Sequence, residues 1–338
     1  MLNRRSLLKG AAAFAGVGMI GTPAIVRAQS LDTLKVMTPF AYGPNFIEML
    51  NASAGGFWEA NGIDAQLEAG RGGSQTLQQL VAGQTDLIRI SAIEQMTAME
   101  ATGADLVCFS TIYQASNFYV VSLKDKPIET AEEFAGKTVG LVSVGGSTEI
   151  FLDLMLRKAG VPAADVKREV TGDNPTAYEV LKAGRVDAFF CSINVVVELR
   201  RQGAEIVTWT TDRYAPMPAQ GYVATRANLE ARPDLFVRVL KGLHASVLDL
   251  METDTGEVYA RAAKKYEIPG FDQTERLSLI LKTTQEELWA PKGPETLLRN
   301  DPKAWEDGLK LLTEAGAITK ITDPTVYWTN EYIDKALA

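Results

Sequence analysis

Histidine is almost missing from this chain. His244 is the only one in 338 residues, and cysteine occurs twice, at Cys108 and Cys191. No cluster of these side chains has metal-ligand spacing. A Ser/His/Asp triad would have to recruit His244, which sits in Leu243-His244-Ala245 on an amphipathic stretch, and no Gly-x-Ser-x-Gly turn is present. There is no phosphate loop ending in Gly-Lys-Ser/Thr, and Gly70-Arg71-Gly72-Gly73 is not a dinucleotide fingerprint. The acidic run Asp249, Glu252, Asp254 and Glu257 reads as a solvated helix end. No catalytic residue, metal ligand or cofactor is therefore expected. Each cysteine lies inside an apolar run, Leu106–Phe109 or Phe189–Ser192, so both read as buried thiols. Their strands fall in different halves of the chain, and no disulfide is expected between them.

Long hydrophobic runs are also scarce. The only notable one, Gly10 to Ile20, is too short and glycine-rich to span a bilayer, which takes about 20 apolar residues. It follows Asn3-Arg4-Arg5-Ser6-Leu7-Leu8-Lys9 and precedes Val26-Arg27-Ala28, with small residues at the −3 and −1 positions of a cleavage site. This is the pattern of a twin-arginine export signal over 1–28. Arg4, Arg5, Lys9 and Arg27 leave with it and no acid does, so a formal charge of −8 becomes −12. So acidic a chain has no electrostatic reason to bind nucleic acid or an anionic membrane surface.

About 310 residues remain, more than one core usually serves. Short apolar runs alternate with amphipathic stretches from Leu34 onward, which predicts α/β layering on mostly parallel strands. The first run, Leu34–Met37, leads into a helix expected over Asn45–Asn61. The pattern restarts at Lys137, and the halves match in register. Leu80-Val81-Ala82-Gly83-Gln84-Thr85-Asp86 aligns with Leu181-Lys182-Ala183-Gly184-Arg185-Val186-Asp187, and Ser91 with Ser192, at an offset of 101. Gly103–Val107 aligns with Gly203–Val207 at an offset of 100. Three matches imply a duplicated unit and two similar lobes. Phe118–Lys124 and Gly221–Arg226 share a Tyr-Val core and suit crossover strands joining the lobes; ordinary edge strands are the alternative. From Pro233 the chain reads as helices that return to the first lobe.

In open parallel sheets, ligands bind where strands end and helices begin. Small polar residues occupy those turns here: Gly72-Gly73-Ser74 beside Arg71, Gly145-Gly146-Ser147-Thr148, Ser91, Asn174, Ser192 and Asn194. Each alone serves equally well as a helix cap. Together they would surround one cleft. Phe40, Tyr42 and Tyr113 lie just beyond strands and offer faces for a planar ligand, or packing. Arg89 interrupts a strand and must pair with an internal acid or with ligand.

Five segments resemble the substrate-binding proteins of ATP-driven importers that include taurine, alkanesulfonate and nitrate receptors and the thiamine-pyrimidine-precursor proteins. They are Leu80–Asp86, Phe134–Gly140, Gly145–Thr148, Leu181–Asp187 and Thr329–Ile333. The resemblance implies a type II periplasmic-binding-protein fold: two doubly wound lobes joined by two crossover strands, with a helical C-terminal tail. It implies a first lobe over 29–118 and 226–338 and a second over 119–225. It also implies a monomer that hands a small, planar or anionic, organic solute to the permease of an ABC importer. Ligand contacts in that family come from the turns carrying Tyr42, Gly72–Ser74, Ser91-Ala92, Gly146–Thr148, Asn174 and Ser192–Asn194. The pyrimidine synthases among the relatives use a cysteine-rich run and a histidine donor, and neither is found in this chain. An exported enzyme or a sensor partner on the same fold is the alternative.

Overall fold

The computed structural model describes residues 31–338. The export segment expected at 1–28 lies outside the described residues. Strands form at Asp32–Thr38 (β1), Ile63–Ala69 (β2), Leu87–Ile90 (β3), Leu106–Tyr113 (β4), Phe118–Leu123 (β5), Thr138–Leu141 (β6), Lys167–Val170 (β7), Ala188–Ser192 (β8), Ile206–Thr210 (β9) and Gln220–Thr225 (β10). They make two five-stranded sheets, ordered β2-β1-β3-β10-β4 and β7-β6-β8-β5-β9. The two orders are the same once β1 is matched to β6, β2 to β7, β3 to β8, β4 to β9 and β10 to β5.

The repeat extends to individual hydrogen bonds. Asp86 accepts from the Lys35 N–H at 2.8 Å and returns its own N–H to the Lys35 carbonyl at 2.9 Å. Asp187 makes the same exchange with Thr138, at 2.8 Å both ways. Gly83 and Gly184 precede them at φ 68° and 69°, a left-handed turn that a side chain would resist. Ser91 and Ser192 then sit in extended backbone at the head of helices Ala92–Thr102 and Ile193–Arg201.

The sheets are mostly parallel as expected, with one reversed strand in each. Within each, β1 or β6 pairs parallel with its neighbours, whereas β10 and β5 run antiparallel to the strands on both sides. These antiparallel strands are the two segments expected to cross between lobes. The chain leaves the first sheet in β4 and enters the second as β5; it leaves the second in β9 and re-enters the first as β10. Neither is an edge strand. Residues 220–225, placed by the sequence at the end of the second lobe, are hydrogen-bonded between β3 and β4 of the first sheet.

The helix expected over Asn45–Asn61 is shorter. A single 3-10 turn, Pro44–Phe46, leads into helix Ile47–Ala54, and Gly55-Gly56 stop it there. The tail starts with helix Pro233–Glu252, opened by proline at its first position. Leu235, Val239, Leu243, Val247 and Leu250 bury one face of it at the period of a helix. The tail does return to the first lobe: Cys108 and Trp328 bridge in parallel alongside β4. There Asn300 accepts from Thr111 Oγ1 at 2.7 Å and from Trp305 Nε1 at 3.0 Å. The outer strand of the first sheet is thereby covered. The tail also reaches the second lobe, against expectation, through an Arg276–Glu198 ion pair at 3.1 Å and an Arg157 hydrogen bond to the Ala315 carbonyl at 2.9 Å.

Both cysteines are free and buried, one in each sheet. Asp249 departs from the solvated reading, since it pairs with Arg261 and accepts from Asn51 Nδ2 at 2.9 Å.

Candidate ligand-binding cleft

The turns after β1, β2 and β3 face those after β6, β7 and β8, and in this arrangement they touch. Ser74 Oγ donates to the Gly145 carbonyl across the gap at 2.7 Å. Ser91 Oγ and Ser147 Oγ are 2.8 Å apart, and Ser147 Oγ donates to Glu94 Oε2 at 2.8 Å. Ser91 Oγ also lies 3.2 Å from Glu94 Oε2, so the two hydroxyls and the carboxyl form one cluster across the gap. Glu94 lies three residues after Ser91, the spacing of a capping box. Its carboxylate does more than cap, since it accepts from the other lobe. Gly73 permits this: a Cβ there would lie 2.0 Å from Glu94 Oε1. Burial pushes the Glu94 carboxyl above the ordinary range, against the hydroxyl and amide hydrogen bonds from Ser147 and Ser91 that hold it down.

A second cross-lobe contact is built on a buried ion pair. Arg89 Nη1 lies 2.8 Å from Glu48 Oε1, and both side chains are 1% exposed. Arg89 stands over the Tyr113 ring at 4.3 Å, and Tyr222 OH donates to Glu48 at 2.9 Å. Arg89 Nη1 and Tyr113 OH both donate to the Asn45 carbonyl. So anchored, Asn45 sends its side chain to Asp173 Oδ2 at 3.5 Å and accepts from Asn194 Nδ2. Asp173 also accepts the Ser192 N–H at 2.7 Å. Arg89 thus pairs internally, the first of the two choices the sequence left open.

Beside these contacts is a cavity of about 480 Å³, bounded by Phe40–Phe46, Asp173–Pro175, Ser192, Asn194, Val195, Pro269 and Arg276. Tyr42 is fixed edge-on to Tyr266, ring centres 5.1 Å apart, with its hydroxyl on the Leu67 carbonyl at 2.7 Å. Phe40 also borders a gap of only about 10 Å³ lined by Glu94, Ser147 and Thr148. Buried Ser192 Oγ and Asn194 Oδ1 have no hydrogen-bond partner.

Of the residues singled out in the sequence, Phe40, Tyr42, Asn174, Ser192 and Asn194 line the larger cavity. Ser74, Ser91, Gly145 and Ser147 meet at the lobe contact. Gly72, Gly73 and Ala92 are buried behind it. Thr148 accepts the Val142 N–H at 3.1 Å, a turn-closing role. Tyr113 does not face the cavity; it is buried under Asn45, with Arg89 over its ring and its hydroxyl on the Asn45 carbonyl. Arg71 is exposed, its N–H on Gln75, and lines neither cavity. Asn45, Glu94 and Asp173 escaped the sequence reading. Of these only Glu94 carried a signal, the Ser-x-x-Glu spacing. A separate 420 Å³ depression lies at the opposite ends of β6 and β8, near Lys137 and Asp187, away from these turns. Among the described residues no group of three or more His, Cys, Asp or Glu could hold a metal.

Residues 43–255 match the sequence model of the family described as NMT1/THI5 like. The chain belongs to the NMT1/THI5-like family. Similar to this NMT1/THI5-like chain is the riboflavin-binding protein RibY of Chloroflexus aurantiacus, 24% identical over 309 residues, 88% of this chain and 86% of RibY. The alkanesulfonate-binding protein SsuA from Xanthomonas axonopodis, bound to MOPS, superposes with a TM-score of 0.66 at 17% identity, covering 89% of this chain and 99% of SsuA. The fold is thus that of the periplasmic binding proteins. The desulfurization enzyme DszB shares it too, with a TM-score of 0.55 at 15% identity over 90% of this chain and 99% of DszB.

Proposed function

We propose that the protein is a non-catalytic, extracytoplasmic receptor that closes two lobes over a small planar organic solute and delivers it to the permease of an ABC importer. The observation that carries this reading is that polar turns of the two sheets touch, and that those after β1, β7 and β8 line a shared cavity, beside two chain crossings. Ligand would enter with the lobes apart and be enclosed as they turn about the crossings near 114–117 and 211–219. Phe40 and Tyr42 supply aromatic surface for a planar solute. Ser192, Asn194 and Asn174 supply polar contacts, and Ser74, Ser91, Gly145 and Ser147 lock the closed form. The names of RibY and SsuA favour solute capture, and riboflavin is a planar solute of suitable kind. The twin-arginine pattern at the N-terminus favours export by that route, and the acidic chain favours a monomer free of nucleic acid.

Thermal melting with riboflavin, pyrimidines, aromatic and aliphatic carboxylates and sulfonates tests the proposal. A ligand at 100 times its Kd should stabilise the protein by about 2.7 kcal/mol, with no product detected by mass spectrometry. Turnover of the stabilising compound would favour the second reading, an exported enzyme, which the DszB likeness keeps in view.

A further inference from the structure

The charge and hydrogen-bonding capacity of the cleft narrow the solute class, given the receptor reading. Two carboxylates, Glu94 and Asp173, lie at the lobe contact, one from each lobe. Among the described residues no cationic side chain pairs with either. Arg89 is spent on Glu48 and the Asn45 carbonyl. Arg276, the cation bordering the larger cavity, has its Nε on Glu198. The Glu94 carboxylate also lies against the N-terminus of helix Ser147–Ala159, where an anionic group would otherwise be favoured. The site's strongest anion position is therefore occupied by the protein itself.

The larger cavity has the complementary bias. Ionised, Asp173 brings only acceptor oxygens, and burial raises its carboxyl so that a donor or cation beside it is what favours that form; Asn194 Oδ1 is an acceptor without a donor, and Ser192 Oγ is unpartnered. Ser192 and Asn194 are 1% and 7% exposed, so solvent does not satisfy them. Leaving such atoms unpaired is costly, and a ligand that donates to them removes the cost. An anion would instead place a like charge beside buried carboxylates.

We propose that the solute is a planar, neutral or cationic heterocycle whose N–H or amino groups donate to Asp173 and Asn194, and that acidic analogues are rejected. The test uses matched pairs: riboflavin against riboflavin 5′-phosphate, benzamidine against benzoate, and 4-aminopyrimidine against pyrimidine-4-carboxylate, measured by melting shift and calorimetry. At least one donor-bearing member should bind about tenfold or more tighter than its acidic partner. Asp173→Asn keeps an acceptor for the Ser192 N–H, so the variant should melt near the parent and lose most of that preference. Acidic members that bind equally or better, a panel with no binder, or a preference unchanged in Asp173→Asn overturns the solute class. Acidic binders would leave the receptor reading intact. A donor-bearing member that binds and is then converted would overturn the receptor reading and leave the solute class standing.

Discussion

Replacing Arg89 with methionine puts a calculable load on the cleft. Glu48 is 1% exposed and would keep only the Tyr222 hydroxyl as a partner. Burial already raises its carboxyl above the ordinary range, with Arg89 pulling it down. Without Arg89 the native protein must hold Glu48 protonated, whereas the unfolded chain ionises it near pH 4.3. At pH 7 that costs about 2.7 pH units at 1.36 kcal/mol each, so the deficit against the parent, whose Glu48 carboxyl is itself raised, is at most about 3.7 kcal/mol. The loss of one partner from a buried pair, about 3–5 kcal/mol, agrees. The sign follows from the raised native value: the cost vanishes below about pH 4.3 and grows as pH rises, so at pH 5 it is about 1 kcal/mol. Urea unfolding of parent, Arg89→Met, Glu48→Gln and the double variant, at pH 5 and pH 7, gives these quantities directly. The double variant should recover most of the loss, because the neutral amide introduced by Glu48→Gln still accepts from Tyr222. A deficit below about 1 kcal/mol at pH 7, or one equal at both pH values, would refute the reasoning.

Four further outcomes are expected. Burial raises the Glu94 carboxyl where the lobes touch; if parting the lobes hydrates it, closure should strengthen as pH falls, which small-angle scattering at pH 4.5 and 7.5 checks, and Glu94→Gln should flatten the dependence. Gly73→Ala should lower Tm as well as ligand affinity, because its methyl would meet the buried Glu94 carboxylate of the same lobe; an unchanged Tm would mean that the carboxylate swings clear of residue 73. Ser147→Ala should lower affinity more than stability, and equal losses would make the residue a plain helix cap. Burial pushes the Cys108 thiol up to about 12 and Cys191 well above its usual value; neither should react with Ellman's reagent at pH 8 in native protein, and both should react in urea.

The repeat was legible because backbone geometry demanded it twice. A left-handed glycine, then an aspartate that braces the neighbouring strand, left the same residue types at Gly83–Asp86 and Gly184–Asp187. The polar turns were legible for the same reason, as strand ends and helix starts. The antiparallel insertion of β5 and β10 was not, since a buried strand reads alike in either direction. For Tyr113 the sequence left ligand face and packing open, because a residue at a strand end can point into the cleft or beneath it; the structure shows packing, and the Arg89–Glu48 pair beside it joins residues 41 positions apart. Asp173 and Asn45 gave no local signal; their roles come only from the approach of one lobe to the other.

The strand exchange sets an order on synthesis. All five strands of the second sheet have been made by Thr210, but the first sheet lacks its fourth member until Thr225. Until then β3 and β4, though made long before, have no common neighbour and leave ladder edges open. The half of the molecule that emerges first is therefore finished last, and a nascent chain stopped short of Gln220 would carry the sticky edges that holding chaperones recognise.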